Sequence, residues 1–506
     1  MRVFSFFCFF ILWWIPINGQ GLRDMQWVIG FDQLTPDPLG DAILMDFKNG
    51  GPIASIITTV DGFYMLGSNS SICDNEGNLL LYSNGCYIVN RKHEIMVNGD
   101  TINPGYIQTS FCADGGGGPH PQGVLILPAV EDECLYYVFN LDFLDTYPPD
   151  SNMFIGQAPQ HLYYHIVDMS RDSGYGEIIQ KLQIAVQDTF ARGNIQATRH
   201  ANGNDWWIIT PKSHSNCYFL TLLTANGIQP SQLTCLGNVW GDRDPAQAVF
   251  SPNGKKYVRF NWWDGLNIFD FDNATGGLSN PLTIYFPNDT INYTFGVAIS
   301  PNSRYLYACA RKKVYQFDLA AADIESSKVL IATWDGYQNP SATLFHFAAL
   351  GPDGKIYITS AGTTYNLHVI HNPDLPGLAC NLEQHGIVLP SLHWGSIPNF
   401  PNYRNQTTPM DCDSIFVSST ETKKSLEFTV FPNPSAGMIT LEIERPTFEL
   451  VFEVRDILGR VAKRVDIGNS STQHQIPLDG LPNGQYFYSI LEDGQRVSAG
   501  KFIKLE

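Results

Sequence analysis

The chain has 506 residues, of which 44% are hydrophobic and 13% aromatic, so it can form more than one domain with a sizeable apolar core. The formal net charge is −18 and the isoelectric point is near 5.0. Nucleic acids and anionic membrane surfaces require a basic face, so the charge argues against both as partners. It is compatible with cations, basic ligands or neutral glycans, and equally with solubility alone.

The first twenty residues have the pattern of a secretory signal peptide. Arg2 is followed by an apolar run from Val3 to Ile17 and then by small polar residues. The run is short for a membrane span, although an uncleaved anchor is the alternative. We predict that residues 1–20 are a signal peptide and that the mature chain has no transmembrane span.

Nine cysteines remain after the predicted signal peptide, and export makes disulfides feasible. Four pairs are candidates, two within predicted hairpins and two that would each hold a loop, although sequence alone does not fix connectivity. They join Cys73 to Cys86, Cys217 to Cys235, Cys112 to Cys134, and Cys380 to Cys412. Cys309 lies in an alternating strand and is expected to be a buried thiol. No metal site or cofactor is predicted.

A repeat of about fifty residues dominates the chain after the signal peptide. Its clearest copies contain a tight turn at Pro252, Pro301 and Pro352, with an alternating apolar strand on each side. This pattern predicts a β-hairpin in each copy. Two further strands follow the first of these hairpins, between residues 265 and 286, so each repeat is expected to contain four strands.

Degenerate copies of the repeat occur earlier in the chain, near Ile72, Leu125 and Arg199. They bring the number of copies to six, and residues 25–64 and 383–403 could add a seventh blade or only the strand that closes a ring. Four short antiparallel strands repeated at this period are typical of β-propeller blades. We predict an all-β chain with a propeller of six or seven four-stranded blades across residues 21–413.

Two loop segments of the predicted propeller combine aromatic and charged residues. Aromatic rings can stack on sugar faces while charged groups bind the hydroxyls, but the same residues could instead pack between blades and cap turns. The candidate ligand-binding residues are Trp240, Asp242, Arg243, Asp244, Trp262, Trp263 and Asp264. No Ser/His/Asp triad or carboxylate pair can be defended from spacing, so no catalytic residue is assigned.

Several segments carry a resemblance to a known group of proteins. They are Ala197–Ile209, Asn75–Gly85 with Asn90–His93, and Ile397–Arg404. They resemble a family of exported propeller-like proteins from gliding and related Gram-negative bacteria, which has no established biochemical activity. The resemblance covers residues 27–412, and it implies a propeller fold and export without assigning any catalytic residue.

The composition changes after Cys412. Residues 414–425 are rich in Ser, Thr and Lys and are predicted to be a linker. Across residues 426–506, alternating strands separated by turn residues indicate a small Ig-like β-sandwich.

The order of motifs in this last segment closely resembles the C-terminal sorting domain of type IX secretion cargo. The matching residues are Pro432, Asn433, Pro434, Gly437, Asp456, Gly459, Gly484, Tyr486 and Lys501. The resemblance implies that the type IX secretion machinery is a partner and that the protein is secreted or attached to the outer cell surface. The alternative is an Ig-like module that binds a partner or spaces the propeller.

Two classes of function remain open. We predict a non-catalytic propeller that binds a glycan or a surface protein. The alternative is a secreted hydrolase or lyase that acts on polysaccharide or peptide, because propellers can host acid/base pairs contributed by separate blades. Carboxylates that converge with a His or Tyr at one mouth of the channel would favour the enzyme, and an open aromatic-lined face without them would favour the binding protein.

Overall fold

The structure is a computed structural model, and the chain divides into two compact units, Met1–Ile415 and Phe416–Glu506. The predicted signal peptide and the predicted linker lie outside the described residues. Those residues are 22–30, 41–59, 63–65, 67–113, 116–130, 132–142, 158–241, 246–261, 263–286, 296–405, 428–443, 450–456, 460–467, 472–492 and 495–505. Within them, no helix has the length and apolarity needed to cross a bilayer.

The described residues of the first unit form seven antiparallel sheets. Sheet 1 contains β1 (Gln26–Ile29), β2 (Ala42–Asp46) and β3 (Ile53–Ile57), and sheet 2 contains β4 (Ser70–Cys73), β5 (Leu79–Ser83) and β6 (Ile88–Asn90). Sheet 3 contains β7 (Val124–Pro128), β8 (Leu135–Leu141), β9 (His161–Asp168) and β10 (Glu177–Gln187). Sheet 4 contains β11 (Gln196–Arg199), β12 (Trp206–Pro211), β13 (Cys217–Thr224), β14 (Gly227–Ile228) and β15 (Gln232–Cys235).

The last three sheets of the unit have four strands each. Sheet 5 contains β16 (Gln247–Phe250), β17 (Lys256–Asn261), β18 (Gly265–Asp272) and β19 (Gly277–Ile284). Sheet 6 contains β20 (Gly296–Ile299), β21 (Tyr305–Ala310), β22 (Lys313–Asp318) and β23 (Val329–Thr333). Sheet 7 contains β24 (Phe345–Leu350), β25 (Ile356–Ser360), β26 (Thr364–Ile370) and β27 (Leu382–His393). Because sheets 1 and 2 have three described strands, the number of complete blades stays a prediction.

The sheets follow one another around a centre. The first strands of neighbouring sheets contact each other, β1 with β4, β4 with β7, β11 with β16, β16 with β20, and β20 with β24. Sheet 7 returns to sheet 1, since Trp27 of β1 shares an apolar core with Tyr357 of β25 and Leu367 of β26. Consecutive antiparallel sheets whose first strands face a common centre make a β-propeller, as the repeat predicts.

The repeated turns form the predicted hairpins. In sheet 5 the pair Phe250–Tyr257 flanks the turn at Pro252, and the equivalent pairs flank the turns of sheets 6 and 7. The turns end at Gly254, with φ of 69°, and at Gly354, with φ of 80°. Glycine suits this left-handed conformation because it has no Cβ. The middle copy, at Pro301, places Ser303 there, with φ of 62°.

Short helical turns are the remaining regular elements of the described chain. They are Gln108–Cys112, Asp172–Gly174, Glu325–Ser327, Gly377–Cys380 and Tyr403–Asn405. The first of them carries one end of the Cys86–Cys112 disulfide, which joins residues 26 positions apart. A second disulfide, Cys217–Cys235, links directly opposed residues of β13 and β15. This second pairing confirms the prediction.

The other predicted pairings are wrong. Cys86 forms its disulfide with Cys112, at the end of a helical turn, and therefore does not pair with Cys73. Cys73 is a buried free thiol whose Sγ accepts a hydrogen bond from the amide of Gln26 at 3.3 Å. Cys134 is disulfide-bonded, but not to Cys112.

Two further free thiols bear on the predictions. Cys380 is buried and unbonded, so the predicted bridge to Cys412, which lies outside the described residues, is also wrong. Cys309 is a buried free thiol in β21, as predicted. Burial raises the pKa of its thiol because the thiolate would be desolvated, so this cysteine is a packed side chain and not a reactive one.

The second unit is a two-sheet sandwich. One sheet contains β28 (Phe428–Phe431), β29 (Met438–Ile443) and β32 (Gln473–Pro477). The other contains β30 (Leu450–Arg455), β31 (Val461–Ile467), β33 (Gly484–Glu492) and β34 (Gln495–Lys504). Their facing apolar residues, including Leu441, Phe452 and Ile476, form one core. This arrangement fits the predicted small Ig-like β-sandwich.

Candidate ligand-binding site

The two predicted aromatic-charged loops meet at one end of sheet 5. Trp240 and Gly241 precede β16, and Asp264 lies in the connection between β17 and β18. The amide of Gly241 donates to Oδ1 of Asp264 at 3.0 Å, and Nδ2 of Asn261 donates to Oδ2 at 2.9 Å. Both carboxylate oxygens are therefore engaged: Oδ1 joins the two loops and Oδ2 binds the end of β17, so Asp264 acts as a positioning residue.

Trp240 lies beneath this surface. Its side chain is 2% exposed, and the guanidinium of Arg259 lies 3.8 Å from its ring centroid. Arg259 is itself buried and donates from Nε to Oδ1 of Asn194 at 2.8 Å. A buried cation–π pair of this kind braces the loop from within. Asp242, Arg243, Asp244 and Trp262 lie outside the described residues, so their predicted roles remain predictions.

Trp263 is exposed at the same end of the sheet, together with two apolar residues that the sequence analysis did not single out. The exposed fractions are 46% for Trp263, 65% for Val239 and 51% for Tyr285. Tyr285 directly follows β19, and its hydroxyl lies 3.4 Å from Nδ2 of Asn238. We call these residues, with Asp264, the aromatic face. Their common position follows from the register that pairs Leu266 with Ile284.

A second feature occupies the centre of the propeller. Residues 396–404, which we call the channel strap, begin beside Asn69 and end beside the repeated turns. The Asn69 side chain donates to Oγ of Ser396 at 2.9 Å. At the other end, Nδ2 of Asn402 donates to the carbonyl of Pro252 and Nη1 of Arg404 to that of Pro352, both at 2.8 Å. The strap therefore spans the length of the first strands.

Asn399 fixes the middle of the strap to sheets 2, 3 and 4. Its amide donates to the carbonyl of Asn69 at 2.7 Å. Its side-chain Nδ2 donates to the carbonyls of Val124 at 3.0 Å and Ile195 at 2.9 Å. Its Oδ1 accepts hydrogen bonds from two buried glutamine side chains, Gln122 and Gln196. All hydrogen-bonding atoms of this buried amide are thus satisfied by the protein.

Glutamine side chains also connect sheets across the channel. Gln122 donates to the carbonyl of Ala248 and accepts from its amide, both at 2.8 Å. Gln247 in turn donates to the carbonyl of Ala348 at 2.7 Å and accepts from the amide of Val297 at 2.9 Å. The bonds to Ala248 and Ala348 join sheets that are not neighbours, so these glutamines connect the first strands across the channel.

Between the strap and sheets 5, 6 and 7 lies a cavity of about 470 Å³. Among the described residues that line it, Asp24 is the only carboxylate. Nη2 of Arg404 binds Asp24 at 3.0 Å. Burial nevertheless raises the pKa of Asp24, because desolvation opposes the attraction of the guanidinium. The two charges neutralise each other at the edge of the cavity.

Three buried histidines of sheet 7 are structural. Burial lowers the pKa of His346 and of His368 to about 3, and that of His393 to about 4. Each is therefore neutral at physiological pH because protonation would place a charge in the core. In the part of the chain that is described, no group of three or more metal-ligating side chains could hold an ion.

The C-terminal motif residues hold the edges of the sandwich together. Asn433 donates from Nδ2 to the carbonyl of Lys501 at 3.1 Å and accepts from the amide of Ile503 at 2.9 Å. Asp456 accepts from the amide of Arg460 at 3.0 Å and closes a turn. Tyr486 is buried and its hydroxyl donates to the carbonyl of Pro482 at 2.8 Å. The conformations at these positions are thus set by local bonds.

Four further motif residues lie at the surface or at the start of a strand. The prolines Pro432 and Pro434 flank Asn433 on the surface, and Gly437 is exposed with its carbonyl bonded to the amide of Leu478 at 2.8 Å. Gly484 begins β33 and is paired with Lys504. Gly459 lies outside the described residues.

Comparison with known proteins identifies the second unit. Residues 429–505 match the family described as the secretion system C-terminal sorting domain. No curated protein matches the sequence. Among solved structures, a protein from Lactobacillus plantarum is similar at 12% identity and a TM-score of 0.42, over 73% of this chain and 98% of that chain.

Two other solved structures are similar at comparable levels. A quinonprotein alcohol dehydrogenase-like protein from Bacteroides thetaiotaomicron has 12% identity and a TM-score of 0.36, over 76% of this chain and 78% of that chain. The Cps50 (Swd1) β-propeller domain from Myceliophteria thermophila has 9% identity and a TM-score of 0.30, over 76% of this chain and 97% of that one.

The sorting domain and the first unit together indicate an exported propeller. The sorting domain implies interaction with the type IX secretion machinery and export to the cell surface or the extracellular space. The first unit supplies the exported module, and its seven sheets around a common centre form a propeller. The protein is thus a β-propeller protein that carries a C-terminal sorting domain of the type IX secretion system.

Proposed function

We propose that the exported propeller binds a neutral glycan through the aromatic face. The observation that carries this proposal is the exposure of Trp263 and Tyr285 at one end of sheet 5, where Asp264 joins the loop that contains Trp263 to the segment before β16. Exposed aromatic rings offer the apolar face of a sugar a stacking surface. The side chain of Asn238 beside Tyr285 supplies a polar partner for hydroxyl groups.

The charge of the protein favours neutral over anionic glycans. A net charge of −18 repels a polyanion and lowers its rate of encounter with the surface. A neutral polysaccharide is not repelled by this charge. Its hydroxyls can form hydrogen bonds with amide and carboxylate groups of the protein without needing a cation as a partner.

The geometry supports binding more than hydrolysis. Glycoside hydrolysis generally uses two carboxyl groups that flank the scissile bond. At the aromatic face both oxygens of Asp264 are engaged with the protein. In the central cavity, the described lining offers Asp24 alone, and Arg404 holds it. Neither place provides a free pair of carboxylates among the described residues.

The test is binding of the full secreted chain to a panel of neutral and anionic polysaccharides, with an assay for new reducing ends or unsaturated products in the same samples. We expect retention on a neutral polymer without product. Trp263→Ala and Tyr285→Ala should each weaken retention about tenfold, since loss of one stacking ring removes roughly 1–1.5 kcal/mol. Ile56→Ala, which truncates an equally exposed apolar side chain on sheet 1, is the matched control and should bind normally.

Other outcomes of the same experiment would contradict the proposal. Product formation would establish an enzyme. Equal losses of polysaccharide retention in Trp263→Ala and in the Ile56→Ala control would exclude the aromatic face as the binding site. Failure to bind any polysaccharide, together with capture of a defined surface protein that depends on Trp263, would replace the glycan by a protein ligand.

A further inference from the structure

The central cavity lies at the opposite end of sheet 5 from the aromatic face. The aromatic face is built on the connection between β17 and β18, whereas the cavity is bordered by the turn between β16 and β17 and by the equivalent turns of sheets 6 and 7. Its volume of about 470 Å³ falls within the usual range for small-molecule sites, roughly 300–1,000 Å³. It is therefore a separate candidate site.

Part of the cavity wall is apolar. Phe250, Ile299 and Leu350 are the last residues of three successive first strands, and each lines the cavity. The strap contributes Phe400, whose ring packs 5.7 Å from that of Trp27 and is held in place by it. Such walls suit the carbon skeleton of a small ligand, and the aromatic ring offers a stacking surface.

The mouth of the cavity presents two fixed amide donors. Oδ1 of Asn253 accepts from the amide of Lys255 at 3.0 Å, and Oδ1 of Asn302 accepts from that of Arg304 at 2.9 Å. These bonds orient both side chains. Within the described chain, neither Nδ2 makes a hydrogen bond, so both amino groups are available to a ligand that accepts hydrogen bonds.

The turn at Pro352 carries an aspartate where the other two turns carry asparagine. Its equivalent residue is Asp353, whose Oδ1 accepts from the amide of Lys355 at 3.3 Å and whose Oδ2 accepts from the hydroxyl of Tyr357 at 2.8 Å. The turn thus forms equally well with Asp or Asn, which means that the amino groups of Asn253 and Asn302 are not needed to build it.

Backbone strain occurs at the same mouth. Ser303 adopts a φ of 62° where the other two turns have glycine. A side chain in this conformation costs about 1 kcal/mol. The Ser303 Oγ accepts a hydrogen bond from the amide of Asn253 at 3.0 Å, and this bond joins the two turns that carry the amide donors. Strain of this kind is commonly retained where it positions a functional group.

The charges select a neutral ligand. Asp24 and Arg404 are the charged side chains among the described lining residues, and they pair with each other at 3.0 Å. An ionic ligand would have to be desolvated without a counter-charge, which is unfavourable. A polyol loses less on desolvation and can accept from both amides.

We propose that this cavity binds a single neutral sugar unit, whose hydroxyl oxygens accept from Nδ2 of Asn253 and Asn302 and whose ring packs against Phe400. The site is independent of glycan binding at the aromatic face, because the two lie at opposite ends of sheet 5.

The test measures binding of methyl glycosides of neutral hexoses, pentoses and N-acetylhexosamines to the full secreted chain by saturation-transfer NMR and calorimetry. Glucuronate and glucosamine are the charged comparators. We expect saturable binding of at least one neutral glycoside and none of the charged ones. The N253D/N302D double variant keeps the acceptor oxygens that build the turns, removes both donors, and should bind at least about tenfold more weakly.

A matched control separates this effect from added charge. N226D places one new carboxylate in the exposed turn between β13 and β14, away from the cavity, and should bind as the wild type does. Thermal unfolding midpoints close to that of the wild type will verify that the variants are folded. Absence of binding by every neutral glycoside, stronger binding of a charged comparator, or unchanged affinity in N253D/N302D would overturn the proposal. None of these results depends on Trp263, so the proposed function is tested separately.

Discussion

The two sides of the central channel differ in how they meet the strap. Toward sheets 2, 3 and 4, the strap is bonded directly to the sheets through the backbone and side chain of Asn399. Toward sheets 5, 6 and 7 it is hydrogen-bonded to the repeated turns through Asn402 and Arg404, and the cavity lies between it and the ends of the first strands. The open side is formed by the three clearest copies of the sequence repeat.

This difference suggests how a repeated fold becomes specialised. Regular copies supply equivalent apolar positions and equivalent turns, which together make a uniform wall. The less regular copies carry individually placed groups, such as Gln122 and Gln196, that hold the strap. The degenerate repeats are thus the ones adapted to fix the strap, and the regular ones leave space beside it.

Acid should destabilise both sides of the propeller, and the resulting loss of unfolding free energy is the largest effect that we expect. Burial lowers the pKa of four histidines to about 3. They are His120 and His165, near sheet 3, and His346 and His368, in sheet 7. The folded pKa lies below the unfolded value near 6.5, so the unfolded chain binds protons first. Stability is complete above about pH 6.5 and falls as the pH decreases toward 3, by about 2 kcal/mol per histidine at pH 5.

Denaturant unfolding at pH 7, 6 and 5 measures this slope. His165→Gln should lower by about one the number of protons taken up on unfolding, because it removes one such group. If the free energy of unfolding at pH 5 equals that at pH 7, the histidines are not neutral and buried in the folded state.

The same substitution at two positions of the strap should have unequal effects. Asn399→Ala leaves two buried carbonyls and two glutamine donors without partners, and should cost at least about 3 kcal/mol of unfolding free energy. Asn402→Ala removes two partly buried hydrogen bonds, one to the carbonyl of Pro252 and one from the amide of Arg404, and should cost about 1–2 kcal/mol. Chemical denaturation of both variants measures the difference. Equal losses would contradict the distinction between a bonded side and an open side.

The smallest change in unfolding free energy is expected when a side chain that lines the cavity is enlarged. Ala349 lines the cavity, so Ala349→Leu should change the unfolding free energy by less than about 1 kcal/mol. Ala248 is fully buried against Trp207 and Tyr257, and the same change there should cost about 1–3 kcal/mol through overpacking. Thermal and chemical unfolding will compare the two. A greater loss for Ala349→Leu would mean that the cavity is not available space.

Much of the fold could be predicted because its signals are local. The turns at Pro252, Pro301 and Pro352 repeat at a fixed spacing, and each lies between strands whose apolar residues alternate. The Cys217–Cys235 disulfide was predictable for the same reason, since it joins neighbouring strands of one sheet. The motif of the sorting domain is likewise contained in a short continuous segment.

The candidate sites depend on contacts between distant residues, which spacing does not reveal. Asn399 bonds to Gln122 across 277 positions and to Gln196 across 203. The segment that contains it, Ile397–Arg404, was distinctive in sequence, but its role in the channel is visible only in three dimensions. Trp240 was a candidate for stacking on sugars, yet Arg259 from the next strand covers its ring.

Parallel binding assays of Trp263→Ala and N302D test most directly the assignment of polymer binding to the aromatic face. Retention on a neutral polysaccharide is measured for the wild type and both variants under identical conditions. We predict that Trp263→Ala loses about tenfold in affinity, the value for one lost stacking ring, while N302D binds the polymer as the wild type does. Loss of polymer binding in N302D with retention in Trp263→Ala would contradict the assignment and place the polymer in the central cavity.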